Sequence, residues 1–283
     1  MILKKIVFLF TISIVLFSCK TADTKSRDFT EENRFTAGIE GPAVDSKGNL
    51  YAVNFKEEGT IGIVNNKGEA SLYTILPKGS IGNGIRFDKE DNMYIADYTK
   101  HTILFIKNGT KEAVVFAHNN TLNQPNDIAI SSKGILYASD PNWKEETGNL
   151  WMIKNKKFVL LEKNMGTTNG IEVSTNGKKL YVNESVQRTV WVYDILEDGT
   201  LNNKKIFIKF KDFGLDGMRC DDDGNLFITR YGKGSVVVVS PKGIVIREIT
   251  LIGKKPSNIT FSNNKKQCFV TLADRGCIET FYN

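Results

Sequence analysis

From about residue 40 to the C-terminus, apolar and polar positions follow one phrase that returns six times. A polar pair leads into a short apolar run, a turn rich in Gly, Asp and Asn follows, and a second apolar run carries an aromatic. The first copy is Glu40-Gly41-Pro42-Ala43-Val44 and then Leu50-Tyr51. Asn83-Gly84-Ile85 precedes Met93-Tyr94, and Asn126-Asp127-Ile128 precedes Leu136-Tyr137. Asn169-Gly170-Ile171 precedes Leu180-Tyr181, and Asp216-Gly217-Met218 precedes Leu226-Phe227. Ser257-Asn258-Ile259 precedes Cys268-Phe269. The leading residues are spaced by 43, 43, 43, 47 and 41 positions. A period of this size belongs to a four-stranded propeller blade.

Each unit continues into two further strand-like runs. Thr102–Ile106 and Ala113–Phe116 complete the second, and Thr189–Tyr193 and Ile206–Ile208 the fourth. They are β-branched or alternating and bounded by turn residues, and no helical period competes. One such unit cannot bury both of its faces, so the units must stack radially and close. The sixth ends one strand short at Asn283. The segment around Asn33 to Thr36 is spare and is expected to supply the missing outer strand, removing an open sheet edge. The expected fold is all-β, a six-bladed β-propeller over residues 31–283 closed by an N-terminal strand in the last blade.

In a propeller the first strand of each blade lines the central channel, so the residue before it points into one mouth. Those residues are Glu40, Asn83, Asn126, Asn169, Asp216 and Ser257, all with side-chain oxygen. Carboxylates that offset charge, with amide carbonyls that complete a shell, suit a hard divalent cation. Calcium matches best, then magnesium or manganese. Zinc with nitrogen ligands fits worst, because His101 and His118 flank an outer strand region. Asn-Gly and Asp-Gly are also good turn pairs, which explains Asn83 and Ser257 without any ligand. Glu40 resists that explanation, because Glu is a poor turn residue.

These segments resemble the gluconolactonase/regucalcin (senescence marker protein 30) propellers, whose relatives include phosphotriesterases of the diisopropyl-fluorophosphatase type. Glu40-Gly41-Pro42 is similar to the family's opening Glu-Gly-Pro. Pro125-Asn126-Asp127 with Ser139-Asp140-Pro141 resembles its Pro-Asn-Asp and Thr-Asp-Pro signatures. Asn169-Gly170 and Asp216-Gly217-Met218 resemble its Pro-Asn-Gly and Pro-Asp-Gly-Met segments, with Thr168 and Leu215 in place of Pro. The resemblance implies a metal held by Glu40, Asn169 and Asp216, with Asn126 on metal or substrate. It implies hydrolysis of an ester bond, most readily the opening of a sugar lactone by a metal-activated water, with Asp216 as general base. Residues following the second strands, namely Asp97, Asp140, Asn183 and Arg230, together with Asn83 and with Trp143 from a loop insertion, are expected to contact substrate. Solvated loop residues are the plain alternative for that rim. Phosphotriester hydrolysis at the same metal, or a non-catalytic envelope propeller that binds a glycan or a protein, are the competing functions. No Gly-x-Ser-x-Gly elbow, dinucleotide fingerprint or phosphate loop occurs.

The N-terminus changes the setting. Met1 to Lys5 is a short basic start, Ile6 to Leu16 is apolar and too short to span a bilayer, and Leu16-Phe17-Ser18-Cys19 follows. That order is similar to a bacterial lipoprotein signal. Residues 1–18 are then a signal peptide, Cys19 carries the lipid, and residues 19–30 are a polar tether to the cell envelope. Cys220, Cys268 and Cys277 form no Cys-x-x-Cys pair. Cys268 and Cys277 fall on neighbouring predicted strands, which leaves a disulfide between them open. The net charge of +6 is spread along the chain without a basic, aromatic-rich stripe, so a nucleic-acid partner is not expected.

Overall fold

A computed structural model of the chain describes residues 23–283; the signal segment, Cys19 and the start of the expected tether lie outside the described residues. Six four-stranded antiparallel sheets form the six blades of the ring. Blade two shows the plan: Gly82–Phe87 innermost, then Met93–Asp97, Thr102–Ile106 and Ala113–His118 at the rim. Along a strand, alternate side chains enter opposite faces. Met93 and Ile95 pack with Tyr51, Val53 and Ile61 of blade one, whereas Tyr94 and Ala96 pack with Leu136 and Ala138 of blade three. Each blade is therefore apolar on both faces, and the core is a set of wedges between blades. The wedge joining Phe269 and Ile278 to Ile39, Leu50 and Ala52 closes the ring.

The first hairpin of a blade repeats one device. Asp45 accepts the backbone N–H groups of Lys47 and Asn49, the Asn49 amide at 2.8 Å and the Tyr51 hydroxyl at 3.0 Å. Asp88 does the same for Glu90, Asn92 and Tyr94, and Asp221 for Asn225. The fourth turn residue is left-handed, as Gly48 and Gly224 (φ 85° and 80°) and at Asp91 (φ 59°). The Asp…Asn spacing of the repeat thus encodes the turn.

Closure departs from the expectation in one respect. The outer strand of blade six is Arg27–Asp28, paired with Thr280 and Glu279 of Cys277–Tyr282. Residues Asn33 to Thr36 instead cross from blade six to blade one: the Asn33 and Phe35 N–H groups bond to Arg275 and Gly276, and Phe35 bridges to Phe55. Residues 25–30 are consequently part of the ring and not a tether. Phe29 packs on Phe269 with ring centroids 4.8 Å apart, and the Thr30 hydroxyl accepts the Ile278 N–H. The strand reads as a linker because it is a rim strand with charged, exposed residues. Its charges are matched across the pair, with Arg275 bonding to Asp28 and to buried Glu279 at 2.6 Å each. The three cysteines are free and buried. Cys268 faces Phe281 and Cys277 faces Leu272, at opposite ends of their strand pair, which leaves no disulfide between them.

Candidate functional site

The six inner strands build the channel in layers. The top layer holds the six leading residues. Glu40, Asn83, Asn126, Asn169 and Asp216 line one cup of about 290 Å³ together with Trp143, Ser185 and Tyr231. An adjoining compartment shares most of these and adds Asn54, Tyr98, Gln124 and Ser257. Backbone bonds stitch the layer around the ring: Gly84 N–H to the Asn126 carbonyl at 2.9 Å, and Gly217 N–H to the Ser257 carbonyl at 2.7 Å.

One residue further along, the second layer is Gly41, Gly84, Asp127, Gly170, Gly217 and Asn258. Only Asp127 and Asn258 carry side chains, and they occupy the space the glycines leave. A Cβ at Gly84 would lie 2.4 Å from the Asp127 carboxylate, and one at Gly217 would lie 2.0 Å from the Asn258 amide. The third layer contributes Arg86, Glu172 and Arg219. Arg86 bonds to Asp127 at 3.0 Å and to Glu172 at 3.4 Å, and Arg219 stands 3.9 Å from Asp127. This buried ion network plugs the channel. Below it a separate pocket, lined by Arg86, Glu172 and Arg219, opens at the far mouth and shares no lining residue with the cup.

The plug also fixes Glu40. One of its oxygens accepts the Gly41 N–H at 2.8 Å and the Asn258 amide at 2.9 Å. Burial, and next the Asp127 charge, raise its pKa to about 7. Asp216 is raised well above the ordinary carboxylate value by burial and by Glu40, to which it is hydrogen-bonded; a bond from Asn169 opposes the rise. Two carboxylates within hydrogen-bond reach hold a proton between them or need a cation. None of the described residues lining the cup is Lys, Arg or His. The buried Oδ1 of Asn126 has no hydrogen-bond partner. An unpartnered amide oxygen beside a carboxylate pair is a donor set that fits a hard divalent cation. Elsewhere among the described residues, Asp28, Cys277 and Glu279 also lie close together, but Arg275 already neutralises that group.

Of the expected rim residues, Trp143 reaches the cup, 44% exposed over its mouth. Asn83 lines it too, and its amide donates to the Asn126 carbonyl at 3.0 Å, a positioning contact. Four others do not line it. Asp97 is fully buried and caps the next turn through Ile81, Thr99 and Lys100. Asp140 accepts the Gln124 N–H at 2.7 Å and the Trp151 indole at 2.9 Å. Arg230 bonds to Asp212 at 2.7 Å and stacks 4.0 Å above Phe210. Asn183 lies behind the site, donating to the Asp216 carbonyl at 2.5 Å. Ser257 spends its hydroxyl on the Ile39 carbonyl at 2.7 Å and on Thr271. Tyr98 and Tyr231, each one residue beyond an expected contact, face the cup instead. The reason is the strand period of two: neighbours point to opposite sides, so a shift of one residue exchanges a wall for a core position.

A six-bladed ring whose channel ends in a buried acid–amide cup defines the class of protein. Residues 38–274 match the family model described as SMP-30/Gluconolactonase/LRE-like region, and the chain belongs to that family of gluconolactonase-like hydrolases. It is 25% identical to diisopropyl-fluorophosphatase of Loligo vulgaris, over 89% of this chain and 91% of that protein. It is 26% identical to the gluconolactonase of Zymomonas mobilis, over 68% of this chain and 60% of that enzyme. Among solved structures, the calcium-binding protein regucalcin of Agrobacterium tumefaciens superposes with a TM-score of 0.80 at 18% identity, covering 92% of this chain and 94% of that one. A gluconolactonase of Xanthomonas campestris gives 0.76 at 18% identity, covering 91% and 89%.

Proposed function

We propose that this chain is a divalent-cation-dependent hydrolase that opens an uncharged lactone, with calcium as the metal and Glu40, Asn126, Asn169 and Asp216 as its holders. The observation that carries the reading is the pairing of buried Glu40 with half-buried Asp216 in a cup without a basic residue and beside the free Asn126 oxygen. When bound, the cation supplies a Lewis acid for the ester carbonyl and makes a nearby water more acidic. A carboxylate oxygen of Asp216 takes the proton of the water that attacks the carbonyl carbon. The ring C–O bond breaks, and that proton passes to the departing ring oxygen, which leaves as a hydroxyl. Asn258 and Gly41 keep one Glu40 oxygen engaged, which fixes the carboxyl opposite Asp216. Trp143, Tyr98 and Tyr231 supply flat walls for a sugar or aliphatic ring. With two acids and no base lining the cup, substrates bearing phosphate or carboxylate are disfavoured.

Neutral phosphotriesters suit the same cup, and the Loligo phosphatase, aligned along most of both chains, favours including them. A panel of neutral lactones, phosphorylated lactones and phosphotriesters, run with calcium and with chelator, tests the reading. Calcium-dependent turnover of neutral lactones supports it. Calcium binding without turnover of any member would make the protein a binding platform.

We further propose that Cys19 anchors the protein to a bacterial membrane. Its sulfur forms a thioether to the glycerol carbon of a phospholipid, and the phosphate headgroup leaves with the thiol proton. The order of basic start, apolar run and Leu-Phe-Ser-Cys supports this location.

A further inference from the structure

The point where the chain enters the propeller is well defined. The Asp23 N–H bonds to the Tyr282 carbonyl at 3.0 Å, its carboxylate accepts the Tyr282 N–H, and Thr24 and Ser26 bond to Thr250. Within blade six, Ser257 opens into the cup and Phe261 ends the inner strand at the far pocket. Phe261 pairs with Cys268, and Gln267 next to it pairs with Tyr282. Tyr282, and Asp23 with it, therefore lie at the end of the blade away from the cup.

Beside this entry the surface carries exposed apolar side chains, with Lys242 and Lys266 at their border and the exposed acids Asp222 and Asp223 in the neighbouring turn. The Asn283 side chain bonds to Arg247 on the outer strand of blade five, Val245–Thr250. The three residues before Arg247, namely Ile244, Val245 and Ile246, are 58, 45 and 55% exposed. Their turn also lies at the far end, since Val245 pairs with Val239, Val239 with Leu226, and Leu226 with Cys220, the end of the inner strand that begins after Asp216. Lys242 stands in that turn, and Lys266 accepts the Asn283 N–H on its carbonyl.

Only four peptide steps join Cys19 to Asp23, a reach of at most about 14 Å even when fully extended. That is about half the thickness of a bilayer's hydrocarbon core, so a lipid on Cys19 draws the entry point to the headgroup layer. No helix among the described residues is long and apolar enough to cross a membrane. We infer that the far rim of blades five and six, centred on Ile244–Ile246, is a docking surface for the phospholipid bilayer, with the cup turned away from the membrane toward soluble substrate. Three aliphatic side chains enter the interface while Lys242 and Lys266 meet anionic headgroups. This inference rests on the Cys19 anchor.

The test uses the full-length lipidated protein in vesicles of phosphatidylethanolamine and phosphatidylglycerol that contain a lipid-borne quencher. A fluorophore is placed at Ile246→Cys or at exposed Glu58→Cys, which lies on the cup side in the loop that begins with cup-lining Asn54; the three native cysteines of the ring are buried and do not compete. Quenching at least about fivefold stronger at position 246 than at 58 is expected, and Ile244→Ser should weaken it. Mass spectrometry of the N-terminal peptide separates the two claims. A peptide without lipid overturns the anchor and the orientation together. A lipidated peptide with equal quenching at the two positions overturns the orientation alone.

Discussion

Held in chelator, this protein should lose stability as pH rises, and Glu40 sets the size of the effect. The residue is 8% exposed, and burial pushes its pKa up to about 7 against an ordinary 4.5. Below pH 4.5 the group is protonated in both the folded and unfolded chain, and nothing is lost. Between 4.5 and 7 the unfolded chain releases the proton while the fold retains it, so stability declines across that window; above 7 the deficit is constant. The gap between the two values corresponds to about 3 kcal/mol. For a domain of this size that is roughly 6–12 °C in melting temperature. The assay is thermal unfolding in chelator from pH 5 to 8, for the native protein and for Glu40→Gln. Other carboxylates titrate in both proteins, so the difference in slope isolates Glu40. Calcium at pH 8 should restore the native protein, because a cation replaces the shared proton, and should restore the variant much less. Parallel pH profiles for the two proteins in chelator would refute the argument.

Asp216→Asn should lower lactone turnover about 10²–10⁴-fold at saturating calcium, while calorimetry shows a smaller loss of calcium affinity; near-full turnover would remove Asp216 as the base. Deleting residues 1–22 should leave melting unchanged, whereas deleting 1–30 removes Arg27–Asp28 and should lower the melting temperature by more than about 5 °C and promote aggregation through the bared edge, both read by scanning calorimetry and light scattering. Arg86→Met leaves Asp127 and Glu172 without their shared partner and should destabilise by about 3–5 kcal/mol in chemical denaturation. Trp143→Ala should raise KM severalfold with melting unchanged, because the ring is a wall over the mouth and not part of a wedge.

The fold was legible because its signal is repeated. Any single Asn-Gly is an ordinary turn pair, but six polar leads at near-constant spacing place six side chains around one axis once the ring closes. The closing strand was not legible for a related reason: it occurs once. Arg27 and Asp28 have no apolar alternation, since as a rim strand they bury little and owe their place to backbone pairing with Thr280 and Glu279 and to Phe29 against Phe269. Counting strands showed that one was missing and that it came from the N-terminal side. The spare segment nearest Glu40, Asn33–Thr36, is the obvious donor by position, yet its buried Phe35 serves a crossing segment and not a blade.

The site divides in the same way. Glu40, Asn126, Asn169 and Asp216 each lie at the channel-mouth end of an inner strand, just before it or, for Asn169, in its first residues, so their direction follows from the repeat. The rim has no such anchor, because direction there depends on where each second strand ends. Asp97 and Arg230 were placed one residue early, and the strand period carried their side chains away from the mouth and gave it to Tyr98 and Tyr231. What the repeat did contain, and what a search for ligands passes over, is the layer beneath. At the position after the lead, four units have Gly and two have Asp127 and Asn258. In that layer glycine is the rule and a side chain is the exception, because the channel is narrow enough that Asp127 faces Gly84 and Asn258 faces Gly217. Those two exceptions touch the chemistry from behind. Asn258 holds Glu40, Asp127 raises its proton affinity, and Arg86 with Arg219 pairs with Asp127 in the interior. The departures from a repeat therefore locate the groups that tune this site, as the repeat itself locates those that form it.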